Sequence, residues 1–247
     1  MTTTQALLDE THPIIQKAGA SFYFTPETSA RAEALGIDMY RFYFLGRGGL
    51  LGDVDAAAVS SAFGYFAPGL VAHMWDTARE VVSPRDAGRA HLGCAHEHGR
   101  AQLGAVASLD RFCDAAGSVV AAADADALAL FAGVRTFPEP EDPPARAMHL
   151  LVALRELRGS AHLVALRATG LPSKVAHFLK RPADFAMFGW KEHEAPAVGD
   201  DERRKLKAAE ALTDALVAPA FDVLDDAART VFCDVLDHIG RALSPPG

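Results

Sequence analysis

Residues 91–98 hold three histidines and one cysteine, a density that suggests metal ligation. Cys94 and His98 are four residues apart, so on a helix both side chains would lie on one face and could bind a single ion. His96 would project from a different side, next to the apolar stripe of that helix. A zinc site would therefore need further ligands from another helix. The alternative, which we favour, is a partly exposed helix that happens to be rich in histidine.

A candidate anion site lies in residues 149–166, where basic side chains accompany a run of leucines. Arg155, Arg158 and His162 share one face of the expected helix, opposite three of these leucines. Two guanidinium groups beside an imidazole suit an anionic ligand, because arginine offers a planar fork of donors to a carboxylate or phosphate. His149, at the start of the segment, is predicted to help close the site.

The same segment also has a structural interpretation, which the spacing alone favours. In that interpretation, Arg155 and Arg158 belong to a solvated face with Glu156 as their neighbour. Gly159 and Ser160 could interrupt the helix at this point, since both residue types are poor helix formers in a helix interior.

More than half of the aromatic residues of the chain lie within residues 22–75. Such a density is typical of a core, but aromatic side chains also line apolar pockets in which a few polar groups orient a ligand. The candidate pocket residues in this half are the aromatic Tyr23 and Phe66 and the polar His12, Arg47 and His73.

Residues 162–181 have the pattern of two short helices joined by a tight turn. Helical periodicity breaks at Gly170 and resumes after Pro172, the spacing of a helix-turn-helix. The second helix would carry basic groups where a recognition helix contacts DNA, namely Lys174, His177, Lys180 and Arg181. The acidic and aromatic residues that follow, 185–204, do not suit a DNA-contacting wing, so a structural role for the helix pair is the favoured alternative.

The chain as a whole predicts a mostly α fold, because alanine and leucine dominate and β-branched runs are scarce. The sequences at 25–27 and 83–86 place proline directly after a Thr or Ser cap, a typical helix start. We expect helices at 4–18, 26–35, 38–46, 53–65, 69–80, 84–116, 123–132, 145–168, 172–181, 200–217 and 225–243.

The clearest boundary along the chain is its Pro-rich, acidic segment, which cannot continue a helix. We predict an aromatic-rich helical domain at 1–134, a linker at 135–144 and a second domain at 145–247.

Charge and cysteine content limit the classes of function. A net charge of −8 argues mildly against nucleic acid as the main partner, because phosphate binding needs a basic face. The three cysteines are widely spaced and odd in number, which indicates reduced thiols. Neither a secretory signal nor an apolar run of about 20 residues is present, so we expect no membrane partner and a cytoplasmic location.

Several motifs together resemble a family. They are His12 followed by "YFTPE" at 23–27, "GRGGLLG" at 46–52, "FGYFAPGLV" at 63–71, Trp75, "RELRGSAHLVAL" at 155–166 and "GWKEHE" at 189–194. In this order they are similar to the actinobacterial SalK-type helix-turn-helix family, and the Arg-Gly-x-x-His element is the most specific part. Two departures stand out, namely Ser160 where the family usually carries Asp, and the histidine cluster at 91–98.

The resemblance implies a helical N-terminal domain followed by a degenerate winged-helix-like half. It also implies that the C-terminal helices resemble the dimerising helices of MarR-type regulators, so a homodimer is expected.

Two functions from different classes remain open. The first, which we favour, is a binding protein of a helix-turn-helix family that holds an anionic, partly apolar molecule between its halves, with transcriptional regulation through DNA as one role. The second is an enzyme in which His12 or His162 acts as a general acid or base and an arginine stabilises negative charge. No motif names a cofactor or a reaction.

Overall fold

The computed structural model describes residues 3–244 of the chain. Within that range it contains α-helices and short 3-10 turns but no β-strand, which confirms the mostly α fold. None of the helices in these residues has the length and apolar character needed to cross a membrane. The α-helices are α1 (Thr4–Ala18), α2 (Pro26–Ala34), α3 (Met39–Gly48), α4 (Ala56–Phe63), α5 (Pro68–Arg79), α6 (Pro84–Leu103), α7 (Leu109–Ala122), α8 (Ala129–Val134), α9 (Pro143–Ala168), α10 (Ser173–Lys180), α11 (Asp200–Phe221) and α12 (Asp226–Ala242).

The helix starts expected at Thr25 and Ser83 are confirmed. Each of these side chains accepts a hydrogen bond from the backbone N–H three residues later, and a proline occupies the first helical position. Proline costs nothing there because the first amides of a helix have no partner within the helix. These caps fix where α2 and α6 begin.

The single helix expected over 84–116 is wrong, since the structure forms α6 and α7 with a break at 104–108. Ser108 has a φ of 61°, in the left-handed region, and the chain turns there before α7 begins. The helix expected at 123–132 is also shifted. Residues up to Ala122 complete α7, and α8 begins only at Ala129.

Helix α9 is the central element of the fold. It packs against α6, α7, α8 and α11, and it buries side chains around its whole circumference. The interruption considered at Gly159 and Ser160 does not occur, because α9 continues through both residues to Ala168. Its buried neighbours Leu157 and Ala161 hold this stretch in place, so tertiary packing outweighs the low helix propensity of glycine.

The apolar core is continuous on both sides of the Pro-rich segment. It includes Leu7 from α1, Trp75 from α5, Leu150 from α9 and Phe232 from α12. The segment itself leads directly into α9, where Asp142 caps the first turn. The division of the chain at residues 135–144 stays a prediction.

The helix-turn-helix geometry expected at 162–181 is present as the end of α9, a tight turn and α10. Gly170 has a φ of 69°, a conformation that glycine adopts without strain. The amide of Leu171 donates to the carbonyl of Leu166, and the amide of Gly170 donates to that of Arg167, which is the Schellman closure of a helix. After α10 the chain forms two 3-10 turns, Pro182–Asp184 and Glu192–Glu194, in the region where a wing would follow.

Candidate functional site

A cavity of about 350 Å³ lies between α3, α9 and α10. Its walls carry five lysine or arginine side chains and two histidines, and the described residues contribute no aspartate or glutamate to them. Because the whole protein has a net charge of −8, this is a local concentration of positive charge. The polar and aromatic wall residues are Gln16, Tyr43, Arg47, Phe63, Tyr65, Phe66, Arg155, Arg158, His162, His177, Lys180, Arg181 and Phe188.

One side of the cavity is built on a buried carboxylate. Arg47 donates from Nε and Nη2 to the two oxygens of Glu156, at 2.8 and 2.7 Å. Arg155 donates to the same carboxylate at 3.1 Å, and its own Nε has no partner. Burial would raise the pKa of Glu156, but the two arginines lower it below its usual range, so the carboxylate is charged. The solvated position expected for Glu156 is therefore wrong, since it is 0% exposed.

Two other basic residues of the cavity wall, Arg158 and Lys180, bind a glutamate on α11. Arg158 donates from Nη2 to Glu210 at 2.8 Å and from Nε to Nδ1 of His12 at 3.1 Å. Lys180 on α10 donates to the same Glu210. Although burial raises the pKa of Glu210, the hydrogen bond from Lys180 and the surrounding positive charges lower it to about 2. Glu210 thus connects α9, α10 and α11 without lining the cavity.

The two histidines proposed for acid–base chemistry are both buried and already engaged. His162 lies in the cavity wall, with Nδ1 2.8 Å from the hydroxyl of Thr213. His12 accepts from Arg158 and does not line the cavity. Burial, together with nearby cationic side chains, lowers the pKa of each to about 4, although neighbouring carboxylates act in the opposite direction. Both imidazoles are therefore neutral at pH 7.

An aromatic wall faces the charged groups. Phe66 and Phe188 stack with their ring centroids 4.2 Å apart, and His177 lies 3.9 Å from Phe188. His177 is only 6% exposed, and its buried Nε2 has no hydrogen-bond partner within the protein. The wall therefore combines apolar surface with an unused polar atom, as ligand pockets do.

Of the ligand-binding residues predicted from the sequence, the structure brings five together in the cavity wall. They are Arg47, Phe66, Arg155, Arg158 and His162.

The other three lie elsewhere. Tyr23 is buried behind Arg155, whose guanidinium carbon is 5.2 Å from the tyrosine ring centroid. His149 pairs with His96 across α6 and α9, at 3.2 Å between ring nitrogens, and does not reach the cavity. His73 is exposed on α5. His149 and His73 are separated from the cavity because their helices present them to other surfaces.

The basic residues of α10 have partners inside the protein. Lys174 lies 3.6 Å from Glu194 and 4.2 Å from the ring centroid of Trp190. His177, Lys180 and Arg181 line the cavity, and only Arg181 has a side chain that is mostly exposed. Three of the four residues assigned to DNA on their spacing thus line the cavity.

The histidine-rich helix is more buried than expected. His91 and Cys94 are 2% and 7% exposed, so the partly exposed helix expected here is wrong for both, because α6 packs against α3, α2 and α9. His98 is partly buried. No group of three or more potential ligands that could hold a metal ion occurs between residues 3 and 244, and Cys94 and His98 gain no third ligand.

Several contributors to the site were not predicted from the sequence, among them Glu156, Glu210 and Phe188. A signal for Glu156 was present, since the apolar residues of α9 occur on all sides of the helix, which indicates full burial. A buried acid needs a cationic partner. Nothing in the sequence pairs Glu210 with α9 or Phe188 with Phe66, because both contacts depend on tertiary structure.

Comparison with known proteins identifies a family. A model described as a helix-turn-helix family matches residues 9–198, about three quarters of the chain and the whole of the cavity wall. No curated protein and no solved structure matches the chain.

Proposed function

The chain belongs to a helix-turn-helix family, and from this premise we propose that it is a regulator-like protein that binds a small organic anion between α3, α9 and α10. The observation that carries the proposal is the composition of the cavity wall, with five cationic side chains and no carboxylate among the described residues. Guanidinium groups bind carboxylates and related anions through paired hydrogen bonds. The aromatic side chains of the wall would contact the apolar atoms next to the anionic group of the ligand.

Unused hydrogen-bonding atoms support a binding role. Nε of Arg155 and Nε2 of His177 are both buried without a partner. Such atoms cost about 1–3 kcal/mol each, and a ligand that hydrogen-bonds to them would recover that cost. His177 makes its other contact with the backbone of Asp184, so its free nitrogen would serve the ligand.

The enzyme alternative keeps His12 and His162 as its acid–base candidates. With pKa values of about 4, both hold a proton too weakly to act as efficient general acids near pH 7. The two functions separate at His162. His162→Ala would abolish turnover and spare affinity if His162 is a catalytic base, whereas loss of both together would favour a binding role.

We further propose the family subgroup, the domain division, the dimer and the DNA contact that the sequence motifs imply. In this proposal the family is the SalK-type actinobacterial group, and residues 145–247 form a MarR-like, degenerate winged-helix half after the linker at 135–144. Helices α11 and α12 would contribute to a homodimer, and α10 would contact DNA in the cytoplasm. The helix-turn-helix geometry of α9 and α10 supports the last of these points.

A matched pair of fluorescent probes tests ligand binding. Anilinonaphthalene sulfonate is an aromatic anion, and N-phenyl-1-naphthylamine is the same ring system without the charge. We expect saturable binding of the anion with at least tenfold preference over the neutral probe, and loss of that preference in Arg155→Gln. The control Arg204→Gln changes an exposed arginine outside the cavity and should have no effect. Equal binding of both probes, or an unchanged preference in Arg155→Gln, would overturn the proposal.

A further inference from the structure

A second and larger space adjoins the cation-lined cavity. This groove, of about 920 Å³, runs between α4, the start of α8, the C-terminal part of α9 and the start of α10. Its walls are small and mostly apolar, and among the described residues they include one charged side chain, Arg167, and no aromatic ring. Its larger apolar side chains are Leu130 on α8, Leu163, Val164 and Leu166 on α9, and Leu171 in the turn before α10.

The groove and the cavity are adjacent and share two wall residues. Ala62 on α4 and Leu163 on α9 line both, so these two side chains lie at the boundary between them. Leu163 packs directly over Gly64, where the structure leaves no room for a Cβ atom. The partly exposed side chain of Leu163 therefore lies between the cation-lined cavity and the apolar groove.

We propose that the anion bound by this protein is a long-chain aliphatic carboxylate. Its head group binds among the arginines of the cavity, and its hydrocarbon tail passes Leu163 and lies in the groove. This inference rests on the proposed anion-binding function and adds the chemical class of the ligand.

The cavity and the groove differ sharply in the charge of their walls. Five cationic side chains line the cavity, whereas Arg167 is the one charged side chain that the described residues contribute to the groove. A ligand that fits both must be charged at one end and apolar along the rest. Since the groove walls are mostly alanine, leucine and valine, without aromatic partners for ring stacking, a flexible alkyl chain suits them better than a fused ring system.

A series of saturated carboxylic acids from hexanoate to hexadecanoate provides the test. Affinity is measured by displacement of anilinonaphthalene sulfonate, at concentrations below those at which the acids form micelles. Burial of each added methylene should raise affinity about twofold to fourfold once the chain is long enough to enter the groove. The methyl ester of dodecanoate should bind at least tenfold more weakly than the acid, because the arginines lose their anionic partner.

A variant in the groove separates tail binding from general hydrophobic affinity. Val164→Asp places a charge in the groove wall and should weaken dodecanoate at least tenfold and flatten the dependence on chain length. Ala57→Asp, on the exposed side of α4 and outside the groove, is the matched control and should retain both. Circular dichroism and the midpoint of unfolding verify that both variants are folded.

The possible outcomes distinguish this inference from the function on which it rests. Binding of the aromatic anion that depends on Arg155, together with no gain from longer chains, would overturn the long-chain ligand and leave the proposed function intact. Failure of the aromatic anion itself would overturn both. Equal loss of dodecanoate affinity in Val164→Asp and Ala57→Asp would also overturn the placement of the tail in the groove.

Discussion

Arg47 on α3 and Glu156 on α9 form a buried, bidentate ion pair that holds Arg47 in the wall of the cavity. The arginine is 8% exposed and the glutamate 0%. Arg155 donates to the same carboxylate, so one acid holds two of the guanidinium groups that face the cavity. The position of these guanidinium groups in the cavity wall therefore depends on a carboxylate that does not line the cavity.

We predict that Glu156→Gln destabilises the fold strongly. The substitution keeps the shape of the side chain but leaves the charge of Arg47 buried without its counterion, which costs about 3–5 kcal/mol. Chemical denaturation followed by circular dichroism measures the loss in free energy of unfolding. Asp201→Asn, which removes the acid of an exposed ion pair with Arg204, is the control and should cost less than about 1 kcal/mol. Similar effects in the two variants would contradict the prediction.

We predict the opposite sign for Tyr23→Phe. The Tyr23 hydroxyl is buried without a hydrogen-bond partner, and burial raises its pKa to about 12. Removing it should leave the free energy of unfolding unchanged or raise it by about 1 kcal/mol. Thr213→Val removes a buried hydroxyl that does have partners, His162 and the carbonyl of Ala209, and should destabilise by about 1–2 kcal/mol. If Tyr23→Phe destabilises as much as Thr213→Val, the hydroxyl has a partner after all.

The helices were largely predictable because their signals are local. The Thr25 and Ser83 caps, the prolines that follow them and Gly170 act through the backbone within a few residues of where they stand. The break between α6 and α7 was missed although Gly104 and Ser108 lie there, because apolar periodicity continues across it. The end of α6 depends on what the chain packs against after Leu103, which no local pattern specifies.

The candidate site was predictable only along single helices. Arg155, Arg158 and His162 were grouped correctly because one helical period places them on one face. Periodicity cannot state which face of a central helix meets which neighbour. Lys180 and Arg181 were therefore assigned to DNA, although α10 folds back so that both line the cavity.

We predict that stability falls in mild acid because of buried histidines. Burial lowers the pKa of His91 from its ordinary 6.5 to about 3, and that of His162 to about 4. These imidazoles bind protons more readily in the unfolded chain, so the stability they contribute is complete above pH 6.5 and decreases as the pH falls toward 4. Urea unfolding at pH 7, 6, 5 and 4.5 measures the slope.

The variant His91→Leu tests whether the buried His91 ring causes this dependence of stability on pH. Both ring nitrogens of His91 are buried and unpartnered among aromatic side chains, so His91→Leu should reduce the loss of stability between pH 6.5 and 4. His73→Leu changes an exposed histidine on α5 and should leave the slope as it is. A profile that is flat down to pH 4.5, or one that His91→Leu does not alter, would contradict the assignment.

DNA contact by the end of α10 can be tested at Arg181, the residue that directly follows this helix. Arg181 has a side chain that is 69% exposed, and it pairs only distantly, at 4.0 Å, with Asp184. If this helix contacts phosphate, Arg181→Ala should weaken binding to a random duplex severalfold at low salt and reduce the salt dependence by about one counterion. Fluorescence anisotropy at several salt concentrations measures both. Arg204→Ala is closely matched, since Arg204 is 71% exposed and pairs with an aspartate three residues away, on α11. Because Arg204 lies outside the helix-turn-helix, equal effects of the two substitutions would indicate nonspecific charge, and no binding at low salt would exclude α10 as a DNA-contacting helix.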